Sequence, residues 1–160
     1  MRSRLIVVLL GICVLSGCSL TGRLYPVKGP LSTQSPSPVY VAKVTGLLNS
    51  GNFSVVLGGG EVCKGRWQEV PRPKTSGETG TPGNMPATNL SAEWDTVYGT
   101  GFYVAHVLGA KLYARAVITG NRGTILSVEM YRSLDQAQNK AGALKGVAKD
   151  NQGNIYKLAF

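Results

Sequence analysis

One histidine, three cysteines and eight acidic residues in a chain of 160 leave little material for catalysis. A reaction needs a positioned base, a nucleophile or a metal. The one histidine, His106, stands in the apolar run 102–108, which reads as either helix or strand and makes it a packed core residue. No two candidate metal ligands stand at a motif spacing. The acids are scattered. Glu93 and Asp95 are two apart, which puts them on different faces of a helix and makes them poor partners for paired-carboxylate chemistry. Gly58-Gly59-Gly60 is not followed by Gly-Lys-Ser/Thr, so it reads as a turn and not a phosphate loop. The expectation is a non-enzymatic protein without a cofactor.

Long hydrophobic runs are also scarce. The N-terminal one, Leu5 to Leu15, is about half the roughly 20 residues that a spanning helix needs. Arg2 and Arg4 precede it and small residues follow, the layout of an export signal. No Ala-x-Ala triplet occurs in the first thirty residues; Leu15-Ser16-Gly17-Cys18 stands there instead. This stretch resembles the lipobox of bacterial lipoproteins. The resemblance covers residues 1 to 18 only. It implies a diacylglycerol on the Cys18 thiol, removal of residues 1–17, and palmitate-type acylation of the new amino group. By the same resemblance Ser19, in place of aspartate, implies sorting to the outer membrane, on the periplasmic side of the cell envelope. One acyl chain of about 0.8 kcal/mol per methylene anchors only marginally, so a triacylated cysteine is a firm lipid anchor.

With Cys13 removed and Cys18 consumed, Cys63 is left as one thiol with no internal disulfide partner. Its alternating surroundings, Glu61 to Trp67, read as a strand that buries it. The 17 basic residues include Arg2 and Arg4, so 15 remain against 8 acids, a net +7. That excess fits anionic partners, although the cations are spread singly and not gathered in one tract.

Residues 18–37 hold prolines at 26, 30 and 36 and read as a tether, able to reach roughly 60 Å at about 3.1 Å per residue. The group Leu24, Tyr25 and Val27 is also consistent with an edge strand. Residues 38–160 suit a single domain, interrupted by a Pro/Gly/Thr-rich insert at about 70–90. An echo, Asn-x-Gly-polar-apolar, recurs at Asn49, Asn121 and Asn151, each time between alternating or β-branched runs. Asn and Gly supply the positive φ angles of tight hairpins. The fold expected is mainly β (all-β or α+β). About three hairpins would build a small antiparallel sheet, a sandwich or a partly open barrel, with one or two short helices. One helix is expected from Ser91, as N-cap, to Tyr98, and a second from Ser133 to about Leu144.

The leading expectation is thus a lipid-anchored envelope protein with a binding or scaffolding domain. Its partners would be membrane lipid through Cys18, and an envelope protein or anionic glycan; no motif points to nucleic acid. The alternative is a binding module for anionic glycan or lipid headgroups, with Trp67, Arg66, Arg115 and Tyr113 as candidate ligand contacts. A lesser alternative is an enzyme using Cys63 and His106. The competing role for the two tryptophans is to anchor the core.

Overall fold

The computed structural model describes residues 19–47, 49–70, 89–108, 112–135 and 140–160. Eight antiparallel strands follow one another around a closed barrel: β1 (Ser19–Lys28), β2 (Tyr40–Leu47), β3 (Ser50–Val56), β4 (Val62–Glu69), β5 (Leu112–Gly120), β6 (Ile125–Asp135), β7 (Lys140–Asp150) and β8 (Ile155–Ala159). Each strand pairs with its sequence neighbours, and β1 pairs with β8 to close the ring. The chain is therefore mainly β, and the barrel is closed, with no strand left at an edge.

The alternation of side chains explains the closure. Phe53 and Val55 on β3, Ile118 on β5, Leu126, Val128 and Met130 on β6, and Tyr156 and Leu158 on β8 all point inward and are buried. Their neighbours in sequence point outward. An eight-stranded barrel is just wide enough for side chains to fill. Here they do so, in one continuous core that runs from Leu24 and Ala42 to Trp67, Ala148 and Leu158.

Two of the three Asn-x-Gly echoes sit at hairpin turns. Gly123 (φ 93°) and Gly153 (φ 85°) occupy the left-handed position after a tight turn, with Gly120 N bonded to Thr124 O at 2.7 Å and Asp150 N to Asn154 O at 3.1 Å. The asparagines also tie the β5–β6 and β7–β8 turns to the first residues of β4 and β6. Asn121 Oδ1 accepts from Val62 N (3.0 Å) and Asn151 Oδ1 from Ile125 N (3.1 Å). Buried carboxylates satisfy the remaining turn amides. Glu61 accepts from the backbone N–H groups of Arg122 and Thr124 and from the Thr124 hydroxyl. Asp150 accepts from the N–H groups of Gln152 and Asn154, the Asn154 amide and the Tyr156 hydroxyl. The Thr124 hydroxyl, ahead of its backbone amide, holds the Glu61 carboxyl below the usual range.

The third echo plays another part. Leu47 pairs with Ser50, so Gly51 is inside β3 and pairs with Gly46 and Trp67. A Cβ on Gly51 would collide with the Thr45 carbonyl and with the Trp67 indole. Gly51 is there to let that indole cross the strand, and Trp67 Nε1 donates to Thr45 O at 3.0 Å.

Two expectations are corrected. Residues 19–28 do not form a tether: they are β1, in register with β2 from Ser19↔Thr45 to Leu24↔Tyr40 and with β8 from Arg23↔Ala159. Pro26 is tolerated because it lies beyond the last β1–β2 pair, at the register shift of β1 against β8. A 3₁₀ turn, Pro30–Thr33, then begins the crossing to β2. Nor is there a helix from Ser133 to Leu144, because β6 continues to Asp135 and β7 starts at Lys140. The insert expected at about 70–90 falls mainly in residues 71–88, outside the described residues.

The helix α1 (Ser91–Tyr98) forms where expected. Leu90, and not Ser91, holds the N-cap position, and Asn89 Oδ1 accepts from Ser91 N at 3.1 Å. A π-helical turn, Tyr103–Val107, follows. Both pack on the outside of the barrel, with α1 against β7 and β8.

Candidate functional site: a stacked aromatic ladder

Trp94, Tyr98, Phe102 and His106 recur every four residues, a spacing that puts side chains on one helical face. Although Gly99 and Gly101 interrupt the helix, the rings stay in contact, and Phe102 folds back to stack on Trp94 as well, at 6.1 Å. Trp94 and Tyr98 stack at 5.5 Å between centroids and Tyr98 and Phe102 at 4.6 Å, while His106 lies tilted against Phe102 at 4.6 Å. Tyr131 on β6 meets Trp94 and Phe102 edge-on, at 5.5 and 6.0 Å. This second cluster, with Leu90, Val107 and Val147, is separate from the barrel interior.

The ladder is fixed from below and from the side. Trp94 is fully buried and its Nε1 donates to Glu129 Oε2 at 2.9 Å. Glu129 is also fully buried; its Oε1 pairs with Arg115 Nε at 3.0 Å and accepts from Leu90 N at 3.4 Å. A charge in so dry a place is tolerated because these three donors surround it. Glu93 Oε1 bridges to Lys149 Nζ at 2.8 Å, which ties α1 to β7. Asp95 receives the backbone N–H groups of Gly101 and Tyr103, both at 3.0 Å, and so holds the π-helical turn against α1. The Tyr103 amide, then that of Gly101, keeps the Asp95 carboxyl below its ordinary value.

Two lysines lie over the ladder. Lys145 Nζ is 5.9 Å from the centroids of both Tyr98 and Phe102, and Lys157 Nζ is 5.3 Å from that of Tyr98. The one proton of the Tyr98 hydroxyl is shared between Gly146 O (3.3 Å) and Leu158 O (3.4 Å), and burial pushes its pKa up to about 12. Toward its His106 end the ladder opens to solvent, where Val104 (68% exposed) and Leu108 (60%) stand out as apolar side chains. Aromatic faces, cations and exposed aliphatic groups together suit the docking of another molecule on the outer wall.

The expected contacts Trp67, Arg66, Arg115 and Tyr113 do not form one site. Trp67 and Arg66 are consecutive on β4, so strand geometry sends the indole into the core and the guanidinium to solvent. Arg115 is on the outer face of β5 and is engaged with Glu129. Tyr113 pairs through its backbone with Tyr131, and its side chain lies outside the described ones, as does Cys18. Of the two tryptophans, Trp67 is in the barrel core, while Trp94 anchors the outer cluster.

The structure does not bring Cys63 and His106 together. Cys63 is fully buried inside the barrel, where desolvation pushes its pKa up to about 11. His106 is exposed on the π-helical turn outside, which corrects its reading as a core residue. Cys63 is therefore expected to resist alkylation at neutral pH while the protein is folded and to react on unfolding; intact-mass measurement with and without denaturant checks this. Among the described residues no group of three His, Cys, Asp or Glu side chains is placed to hold a metal, and no helix is long and apolar enough to cross a membrane.

Comparison of the chain with protein-family models, with curated proteins and with solved structures finds no match.

Proposed function

We propose that this chain is a lipid-anchored protein of the bacterial cell envelope, and that its barrel is a non-catalytic binding or scaffolding module that works through its outer wall. The observation that carries the reading is the filled barrel. Side chains from all eight strands occupy the interior, so a partner meets the outside. The outer wall offers the aromatic ladder, with the exposed Val104 and Leu108 beside it. The anchor rests on Leu15-Ser16-Gly17-Cys18 and its flanking signal-like segment, and the outer-membrane address on Ser19 in place of aspartate.

The test is mass spectrometry of the native N-terminal peptide combined with membrane fractionation and in-cell crosslinking. The expected result is a triacylated Cys18 as first residue, recovery in the outer-membrane fraction, and a defined envelope partner crosslinked through a photoreactive residue at position 104. An unmodified N-terminus in the soluble fraction would sink the anchor. Equal crosslinking from position 104 and from a position on β3 would sink the ladder as the partner surface.

A second reading, recognition of an anionic ligand, is favoured by one further feature. The exposed positions of β1 to β4 hold five cations, Arg23, Lys28, Lys43, Lys64 and Arg66, and, among the described residues, no carboxylate.

A further inference from the structure

We infer that the outer face of β1–β4 lies against the headgroups of an anionic lipid bilayer, which leaves the aromatic ladder on the opposite side of the barrel, turned away from the membrane. The inference deepens the proposed function and rests on its lipid-anchored cysteine.

The registers lay this face out as a grid. One row across the strands reads Arg23–Val41–Val56–Val62, the next Thr21–Lys43–Ser54–Lys64, and the third Ser19–Thr45–Asn52–Arg66. Arg23, Lys43, Lys64 and Arg66 are exposed, and so are Val41 (55%) and Val56 (49%), which are direct cross-strand neighbours. Acidic side chains are placed elsewhere. Glu69, at the end of β4, has the inward parity of Trp67 and pairs with Ala114; Glu61 is turned into the β5–β6 turn, Asp150 caps the β7–β8 turn, and Glu93, Asp95 and Glu129 are all on the helical side. A patch that mixes aliphatic side chains with cations and excludes carboxylates complements a negatively charged interface.

The anchor selects the bilayer over other polyanions. Ser19 is already paired with Thr45 in the third row of the grid, and Cys18 is one residue before it. Consecutive Cα atoms are about 3.8 Å apart, so acyl chains on Cys18 enter the membrane at the corner of this face. A tether would have uncoupled barrel from bilayer. A first residue next to the first strand pair instead holds the basic face within headgroup reach. The helices pack over β7 and β8, and β2–β4 are across the barrel from them.

The test uses the mature acylated protein in vesicles of phosphatidylethanolamine with or without phosphatidylglycerol. Because Cys63 is buried, a cysteine introduced as Val41→Cys or Val104→Cys takes an environment-sensitive fluorophore selectively. The expected result is strong quenching of the position-41 label by headgroup quenchers, dependent on phosphatidylglycerol and weakened by salt, with little quenching at position 104. Lys43→Glu with Lys64→Glu should lower the position-41 signal without releasing the protein from the vesicles. Each cation removed is worth about a fivefold change in the headgroup-bound population. Equal quenching at both positions, or quenching indifferent to phosphatidylglycerol, would overturn the proposal. So would binding to a polyanionic glycan with no preference for the anionic vesicles. The mass of the N-terminal peptide reads the anchor separately. An acylated protein with no position-41 quenching removes the face and keeps the anchor. An unacylated protein that still sediments with phosphatidylglycerol vesicles in low salt keeps the face and removes the anchor.

Discussion

Replacing Trp94 with alanine is expected to release the helical segment 91–108 from the barrel wall and to cost about 3–5 kcal/mol of stability, the range for deleting a fully buried tryptophan. Trp94 is the first ring of the ladder, the donor to Glu129 and the contact of Tyr131, so its loss removes packing and a buried hydrogen bond together. The barrel interior has its own core and should survive. The variant retains one tryptophan, Trp67, inside the barrel, so fluorescence reports the barrel while hydrogen exchange reports the helices. Protection should vanish over 91–108 and persist in β3 to β6. A loss under about 1 kcal/mol, with unchanged exchange in the helices, would mean that the ladder is not held through this residue.

Glu129→Ala is expected to be of comparable size, about 3 kcal/mol, at the lower end for breaking a buried ion pair because Arg115 retains 23% side-chain exposure. The substitution removes the carboxylate that Arg115 contacts and leaves the Trp94 N–H buried without its acceptor. Glu129→Gln keeps an acceptor for Trp94 and should lose only about 1–2 kcal/mol. A double substitution, Glu129→Leu with Arg115→Leu, replaces the pair by apolar side chains and should recover most of the loss. Denaturant titration of the four proteins measures the series. Equal losses for Ala and Gln would place the effect in packing and not in the charge.

Much of the barrel was legible in the chain because its strands alternate. Positions 126, 128 and 130 face inward and 127, 129 and 131 outward, and Asn-x-Gly marks two turns without ambiguity. The stretch from 140 to 150 was harder. Its Ala, Leu and Lys content favours helix on intrinsic propensity, and only the alternation of Leu144, Gly146 and Ala148 with Lys145, Val147 and Lys149 betrays the strand. Pairing with β6 on one side and β8 on the other decides it. β1 showed only as the alternative of an edge strand around Leu24, because Gly22 and Pro26 punctuate isolated sequence but fit against close neighbours and at a register shift. Gly22, for example, leaves no room for a Cβ beside Phe160. The expectation that Trp67 and Arg66 act together failed on parity, since neighbours on a strand point to opposite faces. The ladder did carry a signal, one aromatic ring every four residues from Trp94 to His106. Gly99 and Gly101 interrupt the helix and disguise it.

The pairing of β1 with β8 also governs how the protein is made. Leu24 finds its partner Leu158 only after all the intervening hairpins exist, so the ring closes on a contact between the first strand and the last. The β2–β3–β4 and β5–β6–β7–β8 hairpins are local and assemble quickly, the β4–β5 pairing must close over residues 70–111, and the β1–β8 closure carries the entropy of the whole intervening chain and comes late. Until then β1 and β8 each present an unpaired edge, the feature that recruits strands from other molecules. A nascent chain held at a membrane by its first residue would finish folding with one side of that seam fixed at the bilayer, which restricts the search to the remaining strand and keeps open edges from meeting in solution.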